Sequence, residues 1–314
     1  MDAQDRQHGQ DGAGGDRGSY AALAMPRALV VLGGGNMGGA LAMGCARAWG
    51  AMGEARPRIV VVEPRHEAAA TLRGAGLDVV ASIDDARGAL GSKGALGGEC
   101  VVVLAVKPQV WPEVAPALAR VLAQAGTDAL VVSVMAGVTT ARIAAALAQS
   151  GGVGGEVRVV RTMPNLGAMI GRSTTGVCAG ARATREDVAR ACAIMECVGS
   201  VERIDESLMD AFTGVAGSGP AFLFYLAEAM AQGGVRAGFE EGQSRRIVAS
   251  TLEAAARLLR AEEPRADGAA WRAKVTSKGG TTHAAISHME NLGVREAIAG
   301  AIVAARDRGR ELGA

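Results

Sequence analysis

The chain is poor in aromatic residues: three Trp, two Tyr and four Phe among 314 residues. Ring faces on which bases could stack are therefore scarce. Charge of one sign is lacking too, since 33 Lys and Arg against 32 Asp and Glu leave a formal net charge of +1. No bulk basic field is available to hold nucleic acid or an anionic membrane surface. No apolar run reaches the roughly 18 residues that suggest a membrane span, and residues 1–25 contain no apolar signal-peptide core. That Gly-, Asp- and Gln-rich segment reads as a disordered tail. The five cysteines (Cys45, Cys100, Cys178, Cys192, Cys197) are widely spaced and form no Cys-x-x-Cys pair. They read as small hydrophobes in a reducing, cytoplasmic setting, and with the four histidines they compose no metal set. The partner these exclusions leave is a small-molecule substrate.

Glycine is abundant instead, at 45 residues, about twice the usual share. From Arg27 onward, short β-rich runs alternate with Ala-rich helical stretches. Strands are expected at 28–32, 58–62, 77–80, 100–106, 129–134 and 157–160. Their apolar runs are continuous rather than alternating, as in strands covered on both faces. Regular strand–helix succession implies a parallel, doubly wound α/β sheet. Two further strands, 174–180 and 200–204, flank a helix at 184–197. Beyond Asp205 only helical patterns are expected, at 205–214, 220–232, 239–260, 280–291 and 294–312. The chain thus divides into residues 26–204 and an all-helical 205–314, with Gly-rich surface loops at 91–98 and 151–155.

The sequence "VVLGGGNMGGAL" sets Gly33, Gly35 and Gly38 in G-x-G-x-x-G spacing, after the first strand and at the opening of a helix. In that context the first glycine makes a tight turn, the second admits a pyrophosphate, and the third packs helix on strand. This is the dinucleotide-binding fingerprint of a Rossmann-type domain. The second strand ends at Glu63, where an acid favours the ribose of NAD, while Arg65 suits the 2′-phosphate of NADP. Ligands of such sheets bind beyond the strands' carboxyl ends, so "AVKPQ" (105–109), "SVMAG" (133–137) and "RTMPN" (161–165) are expected to converge on the nicotinamide end. In the helical half, "VTSKGGTTHAAI" (275–286) places Ser277, Gly279, Gly280, Thr281 and Thr282 before a helix. Backbone amides, hydroxyls and the helix dipole would seat a small carboxylate there; a plain cap by Thr281 or Thr282 is the other reading.

Taken in order, "GGGNMG", "AVKPQ", "SVMAG", "RTMPN", "DAFTGVAGSGPAF" and "VTSKGGTT" resemble pyrroline-5-carboxylate reductases over residues 28–312. The resemblance implies a Rossmann domain followed by an all-helical dimerisation domain. It also implies hydride transfer from NAD(P)H to 1-pyrroline-5-carboxylate, giving L-proline, at a site completed by both subunits of a homodimer or a higher assembly of dimers. Carried over by position, it implies cofactor contacts at Leu32, Gly33, Gly34, Gly35, Asn36 and Met37, then Glu63 or Arg65. Further cofactor contacts fall at Ala105, Val106, Lys107 and Pro108, at Val134, Met135 and Ala136, and at Lys274. Substrate would meet Ser277, Gly279, Gly280, Thr281 and Thr282, with Thr282 catalytic, and Glu206 is a further substrate position. The chain departs from the family at Lys278, where proline is usual, at His283, and at Ser82–Ile83, where an Asn is often found.

Two other readings compete. A β-hydroxyacid-type dehydrogenase would need a Lys and an Asn on the helix after a Gly-rich turn, and "PAFLFYLAEAMAQGG" contains neither. A non-catalytic NAD(P)-sensing protein would not need the retained Ser277 and Thr282.

Overall fold

The computed structural model describes residues 25–90, 100–125, 129–151, 157–261 and 267–313. The expected tail and the expected loops at 91–98 and 151–155 lie outside these residues, apart from Met25 and Gly151.

Eight strands form one sheet in the order β3-β2-β1-β4-β5-β6-β7-β8. They are β1 (Ala28–Leu32), β2 (Arg58–Val62), β3 (Asp78–Val80), β4 (Cys100–Leu104), β5 (Leu130–Ser133), β6 (Arg158–Met163), β7 (Ser173–Ala179) and β8 (Gly199–Arg203). The reversal of strand order between β1 and β4 is the topological switch point of a doubly wound sheet. Every residue of β1 is buried, with Val30 and Leu32 facing one apolar cluster and Leu29 and Val31 the other. That two-sided burial is why the strand reads as an unbroken apolar run.

Two features differ from the sequence reading. Strand β6 continues past Val160 to Met163, because Arg161 enters the interior with acidic partners instead of ending the strand. Strand β7 then runs antiparallel to β6, and β8 lies parallel to β7, so the sheet is not parallel throughout.

The crossovers are α1 (Asn36–Trp49), α2 (His66–Gly74), α3 (Arg87–Leu90), α4 (Trp111–Ala125), α5 (Thr140–Gln149) and α6 (Arg185–Glu196). Helix α6 opens with a reciprocal cap between Thr184 and Asp187. After Arg203 every described element is helical: a 3-10 turn over Glu206–Leu208, α7 (Met209–Phe212), a π turn over Thr213–Gly217, α8 (Gly219–Arg236), α9 (Glu241–Ala261), α10 (Gly268–Lys274), α11 (Thr281–Asn291) and α12 (Val294–Gly313). Pro220 sits in the first turn of α8, where its missing N–H costs no hydrogen bond.

This half has almost no core of its own. Helices α8 and α11 bury no side chain, and α9 buries only Ser244 and Val248. Leu223, Phe224, Tyr225, Phe239, Ile247 and Leu258 all lie open on α8, α9 and the turn between them. The C-terminal helix nevertheless docks onto the first half, where a Cβ at Gly137 would come within 3.3 Å of Leu312 Cβ, and onto the π turn of its own half, where one at Gly214 would come within 2.7 Å of the Ile302 carbonyl.

Candidate active site

The three fingerprint glycines occupy three different environments. Gly33 has φ +99°, and a Cβ there would stand 2.7 Å from the Ala105 carbonyl. At Gly38 a Cβ would fall 1.9 Å from the Gly33 carbonyl, so only glycine lets α1 start this close to the turn. At Gly35 a Cβ would meet nothing nearer than Arg65 Nη2, at 3.7 Å. That open space is what a phosphate needs. Gly35 caps α1 without any side-chain hydrogen bond, and no acid occupies the first turn. The free amides and the helix dipole are thus left for an anion. The turn fits a dinucleotide pyrophosphate.

Glu63 is buried at the end of β2, 3% exposed. Its Oε2 accepts from the Gly34 amide at 3.0 Å, and its Oε1 from the Arg65 amide at 2.9 Å. The Arg65 guanidinium closes onto the same carboxylate through Nε and Nη2, both at 2.9 Å. Arg65 and, less strongly, the two amides hold the Glu63 carboxyl below the usual carboxylate range. Glu63 therefore braces the glycine turn and aims Arg65, which stays largely exposed beside Gly35.

Strands β4, β5 and β6 are adjacent and parallel, so their carboxyl ends lie side by side. Ala105 and Val106 are half-buried and Lys107 is exposed. The Leu32 and Met135 side chains belong to the core, at 2% exposure each, so only their backbones can meet a ligand. Asn165 turns inward, donating to the Ala216 carbonyl and accepting from the Gly167 amide.

In the helical half, Gly279 has φ +77°, and the Gly280 amide donates to the Ser277 carbonyl at 3.0 Å. Gly280 is the cap residue of α11, with no side-chain capping bond. Thr281 and Thr282 therefore begin the helix but do not cap it, and their hydroxyls are not spent on its amides. The same turn keeps its N-terminal amides open to an anion. Lys274 ends α10 with its ammonium 3.9 Å above the Trp271 ring.

Glu206 is placed differently from this turn. Its two carboxylate oxygens accept from the Thr140 amide and the Thr140 hydroxyl, each at 2.8 Å. Arg161, 2% exposed, lies 3.7 Å from Glu206 and donates to Asp210 at 3.2 Å. This cluster ties β6 and the start of α5 to the first helical turns after β8. Arg161, Thr140 and Asp210 were not singled out by the sequence reading. An arginine inside a β-rich run was the available signal, because a buried guanidinium requires acidic partners. Among the described residues no group of His, Cys, Asp and Glu could hold a metal ion, and no helix is long and apolar enough to cross a membrane.

Residues 206–312 match the family profile described as pyrroline-5-carboxylate reductase dimerisation, and residues 28–137 match that of NADP oxidoreductase, coenzyme F420-dependent. The chain is 37% identical over 213 residues to a pyrroline-5-carboxylate reductase of Methanosarcina acetivorans, covering 68% of this chain and 75% of the relative. With that of Mycobacterium tuberculosis it is 32% identical over 302 residues, covering 90% and 96%. The solved pyrroline-5-carboxylate reductase of Coxiella burnetii superposes with a TM-score of 0.76 at 30% identity, covering 91% of this chain and 98% of that one. The Plasmodium falciparum enzyme, solved with NADP bound, shares the fold at a TM-score of 0.72 and 21% identity, with 91% and 98% covered.

Proposed function

Because this chain belongs to the pyrroline-5-carboxylate reductase family, we propose that it reduces 1-pyrroline-5-carboxylate to L-proline with NAD(P)H, the closing step of proline biosynthesis. The observation that carries this reading is the pair of anion seats: the Gly33–Gly38 turn, with room at Gly35, and the Ser277–Gly280 turn, with two uncommitted threonine hydroxyls behind it.

Gly33 to Met37 would hold the pyrophosphate, with Glu63 bracing the turn and Arg65 facing the adenosine ribose. The ends of β4 and β5, residues 105–108 and 134–136, would border the nicotinamide, and Lys274 would add a contact from the second half. Bound there, the cofactor supplies the hydride. The amides of Gly279 and Thr281, with Ser277, grip the substrate carboxylate, while the Gly280 amide stays on the Ser277 carbonyl and holds the turn. The Thr282 hydroxyl accepts from the protonated ring nitrogen and fixes the adjacent carbon in place. An iminium carbon is already electrophilic, so orientation carries most of the task, worth up to ~7–11 kcal/mol in favourable cases. No His–Asp pair is required.

We divide the chain into a cofactor half, 26–204, and a substrate and assembly half, 205–314. The bare apolar faces of α8 and α9 support a homodimer, or an assembly of dimers, that supplies the missing core. Five free thiols suit the reducing cytoplasm. Helix α8 carries neither Lys nor Asn, which disfavours the hydroxyacid dehydrogenase reading. The test is oxidation of NADPH and of NADH in the presence of the imine, with proline identified as product. Light scattering on the same sample reads the assembly. Absence of turnover with both cofactors would overturn the activity, and an active monomer would overturn the shared core.

A further inference from the structure

An acid at the end of the second strand of a dinucleotide fold ordinarily accepts from the adenosine ribose and favours NADH. Glu63 stands at that position, but its carboxylate is already saturated. Oε1 accepts from the Arg65 amide and Arg65 Nε, and Oε2 from the Gly34 amide and Arg65 Nη2, all at 2.9–3.0 Å. Those four bonds fill the roughly four acceptor sites a carboxylate has. The glycine turn also closes over the side chain: a Cβ at Gly34 would stand 3.0 Å from Glu63 Cβ and 2.6 Å from Leu72 Cδ1. A ribose hydroxyl could reach this carboxylate only by displacing one of its present donors.

Arg65 is in the opposite state. Its side chain is 67% exposed. It spends Nε and one Nη2 proton on Glu63, and the other edge of the guanidinium, Nη1 with the second Nη2 proton, has no partner among the described residues. That edge is a planar fork able to take a phosphate through two parallel hydrogen bonds. It lies beside the pyrophosphate seat, since Nη2 is the atom nearest the open space at Gly35, 3.7 Å from where a Cβ would be. Arg65 is also the cap residue of α2, which has no side-chain capping bond, so the first amides of that helix are open to the same anion. Glu67, exposed in that first turn, is the charge that opposes it.

On the reductase reading of this site, we propose that the protein selects NADPH over NADH, with Arg65 gripping the 2′-phosphate and Glu63 holding the guanidinium in place. Glu63 is then a positioning residue and not a ribose acceptor, which reverses the usual meaning of an acid at this point of the fold. The ion pair carries no net charge, so the preference comes from the aimed fork and not from a bulk field. One exposed, charge-assisted contact of this kind is worth roughly tenfold in affinity, and salt screens it.

The test is a fluorescence titration of the full-length protein with NADPH and with NADH, in the absence of the imine. Competition by adenosine 2′,5′-bisphosphate and by 5′-AMP isolates the adenosine end. NADPH should bind roughly tenfold more tightly than NADH, and the bisphosphate should compete better than 5′-AMP by a similar factor. Both advantages should shrink as salt is raised. Arg65→Ala should bring NADPH down to the NADH level without weakening NADH, and Arg65→Lys, which keeps the charge but not the fork, should recover only part of the difference. Glu63→Gln should narrow the difference by weakening NADPH more than NADH. Equal affinities in the unmodified protein would overturn the proposal. So would an Arg65→Ala loss shared equally by both cofactors, which would put the guanidinium on the pyrophosphate, or a Glu63→Gln loss confined to NADH. Because no imine is present, a protein that prefers NADPH yet makes no proline upholds the selection and sinks the reductase reading instead.

Discussion

Glu206 is the position where the family resemblance and the geometry lead to different experiments. Replacing it by alanine removes two charge-assisted hydrogen bonds to Thr140, each 2.8 Å long. It also removes an acidic neighbour of the buried Arg161. Such bonds are worth ~1.5–3 kcal/mol each. They share one carboxylate that is 29% exposed, so solvent replaces part of what is lost and the two do not add. A loss of about 2–4 kcal/mol follows, which in a chain of this size lowers the melting temperature by roughly 3–6 °C. Glu206→Gln is the control. Its amide oxygen still accepts from the Thr140 amide, and its NH2 donates to the Thr140 hydroxyl, which rotates to accept. Asp210 stays on Arg161, so the loss should be only about 1 kcal/mol. Calorimetry reads the stability, and the imine KM is measured beside it. If Glu206→Ala melts within a degree or two of the wild type while KM rises tenfold, the bracing role is wrong and the carboxylate belongs to the substrate.

Three other outcomes are expected. Thr282→Val should lower kcat/KM by roughly tenfold to a hundredfold, with Thr282→Ser restoring most of it and the melting temperature unchanged; a drop in melting temperature with full activity would return Thr282 to a structural role. Gly35→Ala should fold normally but bind NADPH and NADH weakly in a fluorescence titration, since its Cβ enters the open seat, whereas Gly38→Ala, colliding with the Gly33 carbonyl, should destabilise the fold itself. Glu63→Gln should lower the melting temperature near neutral pH. Because the folded-state pKa of Glu63 is depressed, its contribution is complete above the ordinary carboxylate range and fades as pH falls through the folded value. The gap between wild type and variant should therefore close in acid, and a gap independent of pH would show that the charge is irrelevant.

The glycine turn was legible because its constraint is local: Gly33, Gly35 and Gly38 stand at fixed spacing, and each meets or avoids one nearby backbone group. The covered strands were legible because two-sided burial leaves no polar residue in the run. Helix α4 carries Pro116 in its interior, which obscures its helical pattern. Helix α10 is only seven residues long, too short for a periodic pattern. The reversal at β7 escaped notice because strand direction is written in pairing, not in composition. Glu206 could be identified by position as important, but its partners stand 66 and 45 residues away at Thr140 and Arg161, and no local pattern reveals a contact of that span.

The antiparallel junction also bears on the order in which the sheet assembles. From Met163 to Ser173 the chain turns back over a gap far shorter than the one between β4 and β5, Leu104 to Leu130, or between the neighbours β1 and β4, Leu32 to Cys100. Closing a connection of about 10 residues rather than about 25 saves roughly 0.8 kcal/mol of chain entropy, and more against the longest link. Pairing of β6 with β7 is thus the least demanding encounter in the sheet. The border with the helical half forms on a local search, whereas the glycine turn waits for strands that must come from far along the chain.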